Sequence, residues 1–500
     1  MTLIQYLVQK ALRRYPARLL LGLILFLAWP LAIHAQSDSN IKKEAIATAE
    51  TLRPLIDEIA EKLWQYAETA LQEKRSAELL MDKLAQEGFS VERNVAGMPT
   101  AFVATYGQGS PVIGILAEFD ALPGVGNEPV PEKRPRKDGV TSGHGCGHNL
   151  FGAGSVGGAI ALKRVMQKHH LKGTLKLFGT PAEETVVGKV YMAKAGVFNG
   201  LDAALDWHPG TETGVKNQPG RAMNNFEVEF FGQAAHAAAD PWNGRSALDA
   251  VELMDYGVNL MREHVKPTTR IHYVITNGGE APNVVPEYAK VWYYVRDINR
   301  EEVEKYYQRI LNIAKGAALG TGTTYKVHLI TGVHEYLLNR PLQEALQKNL
   351  ELVGPPKYTE AEQEFARHLQ KFLGKEEKGF NDKIEPLADK PEPPSGGSTD
   401  VAEVSWITPT AGFRVTTAAA DIPWHSWATS ACHGTAAGRK GALIAAKVIA
   451  ATGVDLFTQP KLLKKAREFF QKATGGKPYQ SPIPVDQPPP IKSASSSPGL

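Results

Sequence analysis

Gly143-His144-Gly145-Cys146-Gly147-His148-Asn149 lies between an apolar run that reads as a strand, Val112 to Phe119, and Leu150 to Lys168, a helix rich in small residues and suited to close packing on a sheet. Strand, glycine-rich turn and helix in that order are the building unit of an α/β protein. The same turn carries chemistry. Gly143, Gly145 and Gly147 permit backbone angles that other residues resist, so the thiolate of Cys146 and the imidazole of His148 can aim at one point. Sulfur with an imidazole nitrogen suits zinc, manganese, iron, cobalt or nickel and fits calcium or magnesium poorly. Taken alone, a Cys-x-His in such a turn is equally well a packed loop.

Downstream, Leu175 to Gly179 reads as a short buried strand that runs into Thr180-Pro181-Ala182-Glu183-Glu184. Adjacent carboxylates at a strand end repel unless a cation or a shared proton compensates, which points to one metal ligand and one general base. The alternative is a solvated helix start, whose acids favour the N-terminal dipole. A second apolar run, Leu201 to Trp207, closes on His208-Pro209-Gly210. His425, between aromatics in Ile422-Pro423-Trp424-His425-Ser426-Trp427, would in isolation be a packed or exposed side chain. Together Cys146, His148, Glu184, His208 and His425 are five candidate ligands, several at strand ends where α/β proteins place their sites. Five protein ligands with a bridging water suit two metals better than one.

The chain resembles the dinuclear metallopeptidase and amidohydrolase family of aminoacylases, hippurate hydrolases and indole-acetyl-amino-acid hydrolases. The likeness is carried by AEFDALPG (117–124), GHGCGHN (143–149), GTPAEE (179–184), DWHPG (206–210) and AAHAAADPWNGRSALDA (234–250). GGEAPNVVPEYA (278–289), STDVAEVSW (398–406) and the WHSW around His425 extend it, so that it spans nearly everything from about residue 41 to about residue 487. The resemblance implies that Cys146, His148, Glu184, His208 and His425 hold two divalent metal ions, manganese or zinc. Glu183 would be the general base, and Asp120 would orient a ligand from behind. A metal-activated water would attack an amide carbonyl, with Glu183 taking its proton and returning it to the leaving amine.

His236, by spacing an ordinary loop histidine, matches one that reaches across a dimer to stabilise the oxyanion, and Asn283 matches a substrate contact from the same region. The family motif usually ends Cys-Gly-His-Asp; this chain has Asn149, as does the branch that cleaves p-aminobenzoyl-glutamate. The implied activity is hydrolysis of an amide to an amino acid, p-aminobenzoyl-glutamate first, in folate catabolism. Dipeptides and N-acyl amino acids are alternative substrates of the same class. A non-catalytic binding protein with this fold is disfavoured by the intact Glu183 and ligand set. The implied partners are a small amide with a free carboxylate and a second protomer, either a copy of this chain or a homologue.

With 500 residues the chain exceeds what one core usually holds, so two domains and tails are expected. From Arg221 to about Tyr336 the pattern is strand, helix (Ser246 to His264), strand (Arg270 to Thr276), strand (Ala289 to Arg296), helix (Arg300 to Leu319) and strand (Tyr325 to Thr331). That is a βαββαβ unit. The expected fold is therefore an α/β catalytic domain with a mixed sheet flanked by helices, interrupted by a smaller ferredoxin-like lid or dimerisation domain. The expected boundaries are 36–220 and 337–476 for the two parts of the catalytic domain and 221–336 for the insertion. Residues 41 to about 87 carry helical periodicity, and residues 477–500, dense in proline and serine, read as a disordered tail. Gly397 and Ser398, in Ser395-Gly396-Gly397-Ser398-Thr399-Asp400, can offer donors to a substrate carboxylate or form a flexible turn.

Fifty-six basic and 53 acidic residues give +3, and removing Lys10, Arg13, Arg14 and Arg18 with the acid-free first 35 residues turns that into −1. No basic footprint for nucleic acid remains. Those first 35 residues read as a secretory signal: a basic start, an apolar stretch from Leu19 to Ile33 and small residues at Ala32 and Ala35. Export, to a periplasm in a Gram-negative-type host, is the expectation, with an uncleaved membrane anchor as the alternative. Cys146 and Cys432 are the only cysteines, so there is no disulfide framework, and Cys432 with His433 reads as structural.

Overall fold

A computed structural model describes residues 39–394 and 396–491; the expected signal segment and residues 492–500 lie outside the described residues. Two sheets organise the chain. Strands β1 (Ser90–Arg93), β2 (Phe102–Gln108), β3 (Val112–Ala117), β4 (Gly173–Gly179), β5 (Ala203–Gly210) and β6 (Gly214–Val215) belong to the larger. Between β6 and the last strand of that sheet, the chain builds β7 (Ala222–Phe231), β8 (Arg270–Asn277), β9 (Tyr288–Asp297) and β10 (Thr324–Val333). It then returns to the larger sheet as β11 (Thr410–Thr416).

The larger sheet runs β1-β2-β4-β3-β5-β11-β6. Its centre, β4, β3, β5 and β11, is parallel, and β1, β2 and β6 pair antiparallel at the flanks. β3 reads Val-Ile-Gly-Ile-Leu-Ala, apolar throughout, because both faces are covered. On one face the helices Arg53–Tyr66, His148–Lys168 and Ala436–Thr458 bury Ile56, Phe151, Ile449 and the strand residues Ile113, Ile115 and Trp207. Gly154, Gly157 and Gly158 of the middle helix face Ala442, Ala446 and Ile449, so the small-residue stripe lets Ala436–Thr458 lie close. That helix is long and apolar enough to cross a membrane, but it is mostly buried here. On the other face Tyr191 and Val190 of Gly188–Lys194 pack with Leu116, Phe178 and Val401.

The smaller sheet is fully antiparallel in the order β10-β7-β9-β8, with the helices Ala247–Met261 and Arg300–Thr321 packed on one face. The connectivity is βαββαβ, and β9 shows why the sequence betrays it: its residues alternate buried and half-buried along the whole strand. The chain is an α/β protein whose mixed sheet is flanked by helices and interrupted by a second, smaller sheet.

The helical periodicity from 41 to 87 resolves into three helices, over 39–51, Arg53–Tyr66 and Lys74–Gln86, and one expectation, the free tail, changes. Pro54 in the first turn of the second helix lacks the N–H that would continue the first, and Ala67 and Leu71 turn the chain through left-handed angles before the third. Residues 477–491 are docked rather than free: Ile483 is buried, and the Gln487 amide donates to Leu329 O (2.6 Å) on β10 and to the Tyr191 hydroxyl (2.7 Å). This segment straps the two sheets together.

Candidate metal centre

The parallel strands β3, β4 and β5 end at one edge of the sheet, and each delivers polar side chains there. Glu118 and Asp120 follow β3, Glu183 and Glu184 follow β4, and His208 lies on β5. Cys146 and His148 come from the glycine-rich turn that opens the helix His148–Lys168. Gly147 takes φ 83° there, and a Cβ on it would lie 2.7 Å from Pro209, so the turn needs glycine twice over. His425 arrives from the loop after β11, itself in a left-handed conformation at φ 54°.

These side chains form three sets able to hold a metal ion: two share one sulfur, and the third is Glu118, His148 and Glu183. Cys146, His148 and His208 make the first, and Cys146, Glu184 and His425 the second. Cys146 Sγ lies 3.4 Å from His208 Nε2 and 3.3 Å from His425 Nε2, while His425 Nε2 is 3.5 Å from Glu184 Oε2. The Trp424 indole N–H also donates to that sulfur at 3.4 Å. Behind the ligands, Asp120 makes two contacts at once: Oδ1 accepts from His148 Nδ1 (2.9 Å) and Oδ2 from the Glu184 backbone N–H (2.9 Å). The first contact leaves His148 Nε2 facing the site, buried and without a hydrogen bond, and Glu184 Oε1 is in the same condition.

The Glu183–Glu184 pair sits in a single 3-10 turn, Glu183–Thr185, bracketed by Ala182 and Val186 at φ 56° and 57°. A left-handed valine is strained, and such strain persists where surrounding structure holds it at a working site. Burial and the Glu118 and Asp400 anions push the Glu183 carboxyl well above its usual range. Burial likewise raises Glu184 to about 8, against the pull of His148. Burial opposes protonation of His148, yet the Cys146, Glu118 and Asp120 anions outweigh it and raise its pKa. The site therefore concentrates more negative groups than it can ionise together, the condition that a bound cation relieves.

A cavity of about 480 Å³ opens over this edge. Its wall includes Cys146, Glu183, Glu184, His208 and His425, and also Gly397 and Ser398. The Ser398 hydroxyl is buried without a partner. His236 and Asn283 are not part of that wall. They sit together on the smaller sheet's loops, where Ala237 N–H donates to Asn283 O (3.0 Å), and both are exposed. Cys432 is buried, and His433 uses both ring nitrogens, on His144 O (2.7 Å) and Thr417 Oγ1 (3.1 Å), which leaves it none for a metal.

Three buried residues escaped the sequence reading. Lys189 pairs with Glu118 (2.8 Å) and Asp400 (2.6 Å) beneath the cavity, and Glu118 Oε2 comes within 3.1 Å of His148 Nε2. Glu118 and Asp120, two residues apart at a strand exit, share a side of the chain, and that spacing was the available signal. Lys189 and Asp400 gave none, because 211 residues separate them.

The sequence profile of peptidase family M20/M25/M40 matches residues 114–481. The chain is 38% identical over 471 residues to one of the subunits of p-aminobenzoyl-glutamate hydrolase from Escherichia coli (strain K12), covering 89% of this chain and 98% of that protein. This chain belongs to peptidase family M20/M25/M40. A second relative, the Xaa-Arg dipeptidase of Mus musculus, is 30% identical over 441 residues, 83% of this chain and 90% of that one. Among solved structures, a dinuclear metal binding peptidase from the M20 family of Bacillus subtilis shares the fold at TM-score 0.54 and 20% identity, covering 81% of this chain and 98% of that one. As a member of the M20 family the chain is a hydrolase of amide bonds. Its donor set fits the metal chemistry of that family: one sulfur, imidazole nitrogens and a carboxylate, two of them buried with no hydrogen bond of their own.

Proposed function

We propose that this chain hydrolyses p-aminobenzoyl-glutamate to p-aminobenzoate and glutamate, using two divalent cations, manganese or zinc, held by Cys146, His148, Glu184, His208 and His425. The observation that carries this reading is the pair of ligand sets sharing Cys146, with Glu183 beside them on the wall of one cavity. The 38% identity to one chain of a p-aminobenzoyl-glutamate hydrolase, over nearly all of that protein, supports the substrate. When bound, the cations supply Lewis acidity, polarising the amide carbonyl and lowering the pKa of water. Glu183 accepts the proton of the attacking water and hands it to the leaving nitrogen. Asp120 holds His148 and the Glu184 backbone in register. Gly397 and Ser398 offer donors to a carboxylate of the substrate.

The site reaches completion with a second protomer, a copy of this chain or a homologue. One edge of the smaller sheet is β8, and Tyr273, Val274 and Ile275 on it are exposed. Leu253, Tyr256 and Leu260 of Ala247–Met261 are exposed as well. An unpaired edge with apolar neighbours is a surface that pairs. His236 supports its part: backbone N–H groups of Ala238 and Ala239 both donate to Nδ1 (3.2 Å each), so the neutral ring carries its proton on Nε2, ready to donate to an oxyanion in the partner's cavity. Residues 1–35 direct export.

The test is release of p-aminobenzoate by the purified protein with manganese or zinc, alongside dipeptides including Xaa-Arg. Glu183→Ala should lose about 10²–10⁴-fold in rate and keep its metal. Equal activity in that variant sinks the mechanism, and turnover of dipeptides alone replaces the substrate.

A further inference from the structure

We propose that Lys216 and Arg414 form a carboxylate subsite that reads the side chain of the amino acid leaving the amide, so that the enzyme selects amides of acidic residues. The proposal rests on the hydrolase reading above and adds to it the residues that choose the substrate. The register of the sheet places both cations beside the metal ligands. β11 pairs Arg414 with His208 on β5 and with Gly214 on β6, so the three share one face of the sheet. Lys216 lies two residues beyond Gly214, on that same face, and its backbone N–H donates to Gly412 O (2.9 Å). Lys216 and Arg414 both line the cavity that holds Cys146, Glu183 and His208.

Neither cation is used up by the fold. The fully buried basic side chains are paired, Lys189 with Glu118 and Asp400 and Arg136 with Asp138, whereas Lys216 is half-buried and Arg414 exposed at the cavity mouth. Among the described residues Lys216 and Arg414 form no ion pair. The Lys216 ammonium instead lies 3.9 Å from the centre of the Tyr336 ring, whose hydroxyl donates to Asp206 Oδ1 (3.3 Å). Asp206 occupies the space that a side chain at position 412 would fill, because a Cβ on Gly412 would meet its carboxylate. Tyr336 and the nearby Asp206 carboxylate thus position the lysine and partly balance its charge, while its side chain still lines the cavity. A guanidinium and an ammonium lining one cavity, the first in register with His208, match an anion at the end of a short side chain. Arg296 of β9 faces the same cavity with its Nε unpartnered, so the cavity has positive charge enough for a substrate with two carboxylates.

The experiment compares kcat/KM for p-aminobenzoyl amides of glutamate, glutamine and lysine on the metal-loaded full chain and on Lys216→Gln, Arg414→Gln and the double variant. Wild type should prefer glutamate to glutamine, and each single change should cut that ratio about 10–150-fold, mainly through KM. Melting temperature and metal content accompany each variant. Arg414→Gln changes an exposed side chain and remains informative if Lys216→Gln does not fold. A glutamate-to-glutamine ratio unchanged in the variants, or a wild-type preference for the lysine amide, overturns the subsite and leaves the hydrolase standing. No turnover of any amide overturns the hydrolase reading instead, and calorimetric titration with glutarate then decides the subsite. Weaker glutarate binding in the variants supports it, and equal binding overturns it.

Discussion

The strand-end cavity and the smaller sheet treat polar and apolar groups in opposite ways. At the cavity, His148 is fully buried, Nδ1 committed to Asp120 and Nε2 3.1 Å from Glu118, from which Lys189 and Asp400 continue a buried chain of charges. On the smaller sheet His236 stands exposed, and Tyr256 (63% exposed) and Leu260 (58%) face solvent. The difference teaches which half of the site one chain can finish. Five candidate ligands and Glu183 converge within one chain, whereas on the proposed reading His236 and the exposed apolar side chains of the smaller sheet await a neighbour.

The first way to break this comparison has the largest expected effect. Cys146→Ala removes the sulfur common to both ligand sets, so metal content by plasma spectrometry should fall toward zero and activity to background. Retention of one full equivalent of metal would show the two sets to be independent. Next, Tyr256→Glu with Leu260→Glu should halve the mass seen by sedimentation and cost about 10²–10³-fold in activity, the same loss as His236→Ala. A fully active single chain would make the cavity self-sufficient and dissolve the contrast.

A smaller effect sharpens the buried half. Asp120→Asn keeps the shape but weakens the hold on His148 and Glu184, and metal affinity should fall about 10–100-fold. The smallest concerns the other sheet. Burial raises Asp255 from 3.8 to about 6, with the Tyr293 hydroxyl donating to one oxygen and the other oxygen unpartnered. The folded chain therefore holds this proton more tightly than the unfolded chain, and its contribution to stability declines as pH rises from about 4 to about 6. Asp255→Asn should flatten that decline and raise the melting temperature at pH 7. A melting profile that keeps its slope would assign the pH dependence elsewhere.

Much of this was legible in the sequence because the candidate ligands sit beside local signals. An apolar run that ends in Glu183–Glu184 or His208 marks a strand and its site together, and the alternation along β9 marks the smaller sheet. β11 escaped because Thr410-Ala411-Gly412-Phe413-Arg414-Val415-Thr416 mixes glycine, threonine and arginine, and what makes it a strand is its pairing with β5 some two hundred residues earlier. Lys189 escaped for the same reason. A lysine in Gly188-Lys189-Val190-Tyr191 looks solvated until Asp400 and Glu118 are brought to it by the fold. The docking of residues 479–487 was hidden by composition, since proline and serine read as disorder unless a groove such as that beside Tyr191 receives them.

The insertion of the smaller sheet has a consequence for how the protein is made. More than two hundred residues lie between Glu184 and His425, and β11, which flanks His208, is also in the last fifth of the chain. At about 5–20 residues per second, a growing chain carries Cys146, His148, Glu184 and His208 for roughly tens of seconds before the final ligand emerges. During that interval the second ligand set does not exist. With the proposed ligand set, a full complement of metal requires complete synthesis and closure of the sheet, and truncated chains lack it.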